Sequence, residues 1–284
     1  MNNQGAIAGN AYALVGTEQH VHATLWTGSP GSYVARDLGT PVGAFVYSDA
    51  VGLSEPDAQG TLWVAGYSAA KSDGVNNQPW HAVLWRIEAA GNVSLLDLEP
   101  ARDARANDVK VVGNTVIVAG TINFNANDIQ AVVWEVSLQG TLVGRTVLGT
   151  LGGGFSEGNA INQQGHVVGQ STKTNFIKDA YLYRNGAMTD LGSLGNYGSG
   201  AIGINDSDVV VGYYQNLNRR TWRSTQFAFV WENGTMKDLA SLIAAKKTNW
   251  RVLFTAQDVN ATGAMVGWGR IGTTTYSEEH GFLA

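Results

Sequence analysis

Three short phrases recur in a fixed order along this chain, so whatever fold it adopts must give every copy an equivalent place. The first phrase closes on glycine: NNQGAIAG ends at Gly9, AINQQGHVVGQS carries Gly169, GINDSDVVVGYY carries Gly212 and DVNATGAMVGWG carries Gly267. Two lengthened copies close at Gly66 and Gly120. The second phrase is apolar and aromatic: HATLW (to Trp26), HAVLW (Trp85), QAVVW (Trp134), DAYLY (Tyr183), FAFVW (Trp231) and HGFLA (Ala284). The third reads RDLG from Arg36, LDLE from Leu96, TVLG from Thr146, TDLG from Thr189 and KDLA from Lys237. Successive closing glycines lie 43 to 57 residues apart. A period of that size marks stacked units, none of which can bury its apolar face alone.

Each phrase has the length and the β-branched and aromatic content of a short strand. The turns between them can be read as well. Asn2-Asn-Gln-Gly5, Asn162-Gln-Gln-Gly165 and Asn260-Ala-Thr-Gly263 put Asn first and Gly fourth, the preferred ends of a type I turn. Asn185-Gly186 and Asn233-Gly234 predict two-residue hairpins between the second and third phrases. A unit is therefore strand, tight turn, strand, loop, strand, tight turn, strand. Four short antiparallel strands per repeat predict an all-β β-propeller, a single domain over 1–284, with six blades. The ends are irregular: the first copy lacks a leading strand and the last lacks a D-L strand, so one blade is expected to be incomplete or unusually closed. One short helix is expected over Ala240–Lys247. Composition agrees, with 36 glycines and only 14% charged residues, as many tight turns and few amphipathic helices require.

The phrases also carry a resemblance. LGTLGGGFSEGNAINQQGHVVGQS followed by DAYLYRNGAMTDLGSLG is similar to the bacterial extracellular repeat of the HAF family, and copies of the pattern cover nearly the whole chain. The second and third copies depart most, in EPDAQGTLWVAG and ANDVKVVGNTVIVAG, and Val147 stands where Asp is usual. The resemblance implies an extracellular or cell-surface protein with a propeller-like fold. It supplies no reaction.

Several function classes are disfavoured. A net charge of −5 does not suit nucleic acid, whose binding rests on clustered Lys and Arg. The absence of Cys removes thiol nucleophiles and thiolate metal sites. No apolar run reaches membrane-spanning length, so no membrane insertion is expected. The opening residues lack the basic region of a signal peptide; excision from a longer, secreted precursor is the expectation. No G-x-S-x-G elbow, P-loop or D-x-D-x-D-G calcium loop occurs, nor the S-x-D-x-G-x-x-W turn that sialidases repeat. No metal ligands and no cofactor are assigned; calcium is conceivable in an Asn/Asp-rich propeller but has no motif here. His22, His81 and His280 share a repeat position with Gln130, Asp179 and Phe227, which marks that position as structural. His20-x-His22 places two rings on one side of a strand, too few ligands for a metal. The D-L aspartates Asp37, Asp97, Asp190 and Asp238 are expected to bond turn backbone.

The long loops between second and third strands, and between units, emerge at one end of the strands, as binding loops on a rigid scaffold do. The candidate ligand-binding residues there are Trp80, Phe124, Phe155, Phe176, Tyr197, Trp250 and Tyr276, with the cluster Arg219, Arg220, Trp222 and Arg223. Aromatic faces stack on sugar rings, and the planar fork of Arg suits a carboxylate or sulfate. The expected function is a non-catalytic extracellular module that binds a glycan or other surface polymer. One alternative is a carbohydrate-active propeller enzyme, a glycoside hydrolase or polysaccharide lyase, with acids drawn from Asp49, Asp73, Asp128, Glu157 or Glu278 and help from Arg223 or Tyr276. Another is a scaffold for a protein partner.

Overall fold

The fold is taken from a computed structural model, which describes residues 1–41, 46–69, 80–125, 127–243, 250–272 and 277–284. The protein is all-β. It divides into two compact units, Met1–Val147 and Leu148–Ala284, each built of three sheets.

In the first unit, β1 (Ile7–Val15), β2 (Glu18–Thr27) and β3 (Val34–Asp37) form one sheet. The second sheet holds β4 (Tyr47–Leu53), β5 (Leu62–Ala69), β6 (His81–Ile87) and β7 (Val93–Asp97). In the third, β8 (Ala104–Val112), β9 (Thr115–Asn125) and β10 (Asp128–Ser137) pair in order, and β11 (Leu142–Gly149) pairs with β10. In the second unit, β12 (Gly152–Ile161), β13 (Val167–Lys173), β14 (Lys178–Arg184) and β15 (Ala187–Gly192) pair in sequence. So do β16 (Ser199–Ile204), β17 (Val210–Asn218), β18 (Arg223–Glu232) and β19 (Thr235–Asp238). A short α1 (Leu239–Ile243) leads to the last sheet, β20 (Trp250–Val259), β21 (Met265–Gly272) and β22 (Ser277–Leu283). The helix covers the described part of the predicted range, 240–243, and begins one residue earlier; 244–247 lie outside the described residues.

The closing glycine has a steric cause. Each first strand carries a β-bulge opposite it: the register shifts at Ala50/Gly52, Ala106/Asp108, Gly158/Ala160, Ala201/Gly203 and Ala256/Asp258. These bulges face Gly66, Gly120, Gly169, Gly212 and Gly267 in turn. A bulge crowds the partner strand, and a Cβ at those glycines would sit only 1.8–2.1 Å from a carbonyl oxygen of the first strand. The third-strand aromatic closes the other side, with Trp85, Trp134 and Tyr181 ring atoms 2.7–3.1 Å from the Cβ of Gly66, Gly120 and Gly169. Bulge, glycine and aromatic are one packing unit, copied from sheet to sheet.

The turn asparagines do more than turn. Asn162 is fully buried; its Oδ1 accepts from the Gln164 and His166 N–H groups at 3.1 and 2.9 Å, while its Nδ2 donates to the Asn205 carbonyl at 3.1 Å. Asn205 repeats the pattern one sheet on, donating to the Asn260 carbonyl at 2.9 Å, and Asn2 donates to the Ser54 carbonyl at 3.1 Å. A buried amide with its donors and acceptor used rivets neighbouring sheets within each unit. At the N-G hairpins, Asn185 and Gly186 lie at φ 52° and 78°, Asn233 and Gly234 at 51° and 79°, the left-handed pair that a type I′ turn needs.

The D-L aspartates take two roles. Asp37, Asp97, Asp190 and Asp238 each accept the backbone N–H two residues on, at 2.7–3.1 Å. All four also meet a side chain: Asp37 that of His22 and Asp97 that of His81, from third strands, and Asp190 that of Lys173 and Asp238 that of Tyr214, from second strands, at 2.9, 2.6, 3.1 and 3.3 Å. The apolar core of each unit is threaded by the third-strand aromatics Trp85, Trp134, Tyr181 and Phe229, which with the second-strand Trp63 are essentially inaccessible. Burying one such side chain is worth about 1.5–3 kcal/mol. Among the described residues no helix is long and apolar enough to cross a membrane.

Candidate functional site

The residue just before each bulge sits opposite the residue just after each closing glycine. Three consecutive sheets place a charged side chain there: Asp49 opposite Tyr67, Arg105 opposite Thr121, and Glu157 opposite Gln170. The bulge fixes this position, and β-bulges commonly aim side chains beside functional sites.

In the first unit Asp49 anchors a cluster. The Tyr67 hydroxyl donates to its Oδ2 at 3.0 Å and the Tyr47 hydroxyl approaches the same oxygen at 3.4 Å; Asn10 donates to Oδ1 at 2.9 Å. Trp80 packs edge-on against both phenol rings, at 5.5 and 5.1 Å between centroids. The Arg105 guanidinium lies over Tyr67 and Trp80, 5.3 and 4.9 Å from the ring centres. Arg105 is exposed and makes no ion pair among the described residues. The strands present the group as a half-buried carboxylate bonded by a phenol, walled by indole, with a cation beside it.

Burial, then the charge of Asp49, pushes Tyr67 strongly up from the ordinary phenol value, and the same two causes raise Tyr47. Both stay protonated over any physiological range. The Tyr67 hydroxyl is thus held in its protonated form, donating to the Asp49 carboxylate.

The second unit holds a related arrangement. Gln170 donates to Glu157 Oε1 at 2.6 Å, the Tyr213 hydroxyl donates to Gln170 Oε1 at 3.2 Å, and the Tyr181 hydroxyl donates to the Glu157 carbonyl at 2.9 Å. Burial and the Glu157 charge raise Tyr213 and Tyr181. Beside it opens a cavity of about 360 Å³ whose lining includes Gln170, Phe176, Lys178, Tyr197 and Tyr213. In the same unit burial and Asp238 push Tyr214 up to about 12.

An alkaline titration tests these phenols together. Their folded pKa lies above the unfolded value near 10, so the folded state keeps protons that the unfolded chain releases. Stability is full below pH 10 and declines as pH rises toward 12. Ultraviolet absorbance is expected to show at least five of the ten tyrosines ionising only with cooperative unfolding. Ionisation of all ten near pH 10 with the fold intact contradicts the burial described.

The residues expected from the sequence fall into four places. Trp80 joins Asp49. Phe176 and Tyr197 line the second-unit cavity, and Phe155 adjoins it through Lys178, whose ammonium lies 3.8 Å from its ring centre. Arg219, Arg220, Trp222 and Arg223 stand exposed around the β17–β18 turn. Phe124 lies against the core with Arg102 over its ring, and Trp250 packs edge-on to Phe282. Tyr276 and Asp73 lie outside the described residues. Of the other candidate acids, Asp128 accepts from Gln130 at 2.6 Å and Glu278 is 83% exposed beside His280. Tyr67, Arg105 and Tyr213 are not among the expected site residues, whereas Tyr47 is one of the aromatics between units. The signal of the three is positional: Tyr67 and Tyr213 directly follow a closing glycine and Arg105 directly precedes a bulge. Among the described residues no group of three or more His, Asp or Glu side chains could hold a metal ion.

No protein-family model matches the chain, and no curated protein sequence matches it. Two solved structures are similar in fold. One is the Trypanosoma rangeli sialidase in complex with the inhibitor DANA, 9% identical over 98% of this chain and 53% of that one, with a TM-score of 0.48. The other is the same sialidase in complex with 2-keto-3-deoxy-D-glycero-D-galacto-2,3-difluoro-nononic acid, 11% identical over 93% and 48%, with a TM-score of 0.47. The chain thus spans about half the length of the structures it matches. The expectation of a non-catalytic binding module is corrected by this finding: both matching structures are of sialidases.

Proposed function

We propose that the protein is a carbohydrate-active enzyme, a glycoside hydrolase whose reacting pair is Asp49 and Tyr67. The observation that carries this reading is the 3.0 Å hydrogen bond from the Tyr67 hydroxyl to the half-buried Asp49 carboxylate. As the Tyr67 oxygen bonds to the anomeric carbon, the bond from that carbon to the leaving oxygen breaks. The phenol proton passes to Asp49 and a solvent water protonates the leaving oxygen. The hydroxide so formed then displaces the phenol, which recovers its proton from Asp49. Most retaining glycosidases use a carboxylate nucleophile, but a phenol serves in some. Trp80 offers an apolar wall for the sugar ring, and Arg105 a cation for a negatively charged substituent.

The recurring sheet, with its bulge and closing glycine, supports taking the sheets as blades of one six-bladed propeller. The HAF-type resemblance supports an extracellular setting, where polysaccharides are met. The test is a panel of polysaccharides and aryl glycosides assayed for new reducing ends and for unsaturated sugars. Reducing ends without unsaturation are expected. Unsaturated products would reassign the pair to elimination, and a silent panel would overturn the reading.

A further inference from the structure

Among the described residues five non-glycine residues have positive φ: Asn185, Asp208, Asn233, Phe176 at 63° and Trp222 at 53°. Asn and Asp visit this region readily, whereas a bulky aromatic is an outlier there. Phe176 and Trp222 are also the most exposed aromatics among the described residues of their unit, at 89% and 78%. Both sit at the same place in the repeat, the tight turn between second and third strands, in the β13–β14 and β17–β18 hairpins. These sheets are neighbours: Asn159 donates to the Ala201 carbonyl at 2.8 Å and Ala180 N–H to Ser199 Oγ at 2.9 Å.

The turns are ordered, so the exposure is built in. The Trp222 N–H bonds the Asn218 carbonyl at 2.8 Å, and Asn218 Oδ1 accepts from the Arg220 N–H at 3.0 Å; the Phe176 N–H bonds the Lys173 carbonyl at 3.0 Å. Strained backbone that holds an apolar ring in water is retained where the ring has a ligand. Charge identifies the ligand. Arg219, Arg220 and Arg223 flank Trp222, all exposed, and none has a carboxylate partner among the described residues. Lys178 adds a cation at the cavity that Phe176 lines.

We propose that the second unit carries an accessory site for an anionic polysaccharide, whose sugar rings stack on Phe176 and Trp222 while its carboxylate or sulfate groups meet the three arginines. It rests on the reading above in taking this polymer to be the carbohydrate cleaved at Asp49. Affinity electrophoresis tests it, with polygalacturonate as the anionic probe and its fully methyl-esterified form as the neutral one. Wild-type protein is expected to be retarded by polygalacturonate, less so at high salt, and not by the ester. The triple variant Arg219→Ala/Arg220→Ala/Arg223→Ala, and Trp222→Ala separately, are expected to bind at least about tenfold more weakly with unchanged thermal unfolding. Retardation of both variants like wild type, or equal retardation by the neutral ester, overturns the site. Asp49→Asn separates the two proposals: arginine-dependent retardation that survives in this variant supports the site whatever becomes of the hydrolase reading, and its loss there overturns the site as independent.

Discussion

Asp49→Asn is expected to lower kcat by about 10²–10⁴-fold, the range for removing a positioned general base, with little change in stability. Asparagine keeps an oxygen for the Tyr67 hydroxyl, which stands 3.0 Å away in the native protein, but that oxygen no longer takes up the phenol's proton. KM is expected to move far less, since Trp80 and Arg105 remain in place. Tyr67→Phe removes the attacking oxygen and is expected to fall as far, and the double variant no further, because two residues of one proton-transfer unit do not add. Glu278→Gln is the control: an acid from the same candidate list but 83% exposed, its loss is expected to leave the rate alone. Equal losses at Glu278 and Asp49, or none at Asp49, would remove the Asp49 pair from the chemistry.

Gly169→Ala is expected to have the largest effect on stability. A Cβ there would lie 1.8 Å from the Glu157 carbonyl oxygen and 3.1 Å from the Tyr181 ring. Neither neighbour can retreat: the carbonyl belongs to the bulged strand and Tyr181 is wholly buried. Overpacking commonly costs about 1–3 kcal/mol, and a clash with backbone belongs at or beyond the upper end, about 3–5 kcal/mol. Gly144→Ala serves for comparison, because its Cβ would meet nothing nearer than a Glu135 carboxylate oxygen at 4.0 Å. Denaturant midpoints are expected to drop sharply for the first and little for the second. A Gly169→Ala protein as stable as wild type would show that the bulge and its glycine are not the rigid packing unit described.

The same comparison explains what the sequence revealed. Strand phrases, N-G hairpins and N-x-x-G turns are local devices, written in adjacent residues, and they were readable. The reason for the closing glycine was not, because its steric partner lies on the preceding strand: Glu157 is met by Gly169, and Asp49 by Gly66. In the sequence the buried asparagines show only as turn formers, since the carbonyl that Asn162 bonds belongs to Asn205, a full repeat away. The site was half visible for the same reason. Trp80 and Asp49 attracted notice as loop aromatic and candidate acid. Tyr67 and Arg105 sit within strands, and only the register that pairs Asp49 with Tyr67, and the stacking of Arg105 on Trp80, reveal them as companions. The expectation of passive binding weighed exposed loop residues above strand residues and so missed the phenol that gives Asp49 something to do.

The most direct measurement is peptide mass spectrometry of enzyme quenched in acid during turnover of an activated aryl glycoside. A glycosyl adduct on the peptide that contains Tyr67, absent from Tyr67→Phe and reduced in Asp49→Asn, is the predicted result. An adduct on a carboxylate elsewhere, or steady hydrolysis by the Tyr67→Phe protein, would contradict the account.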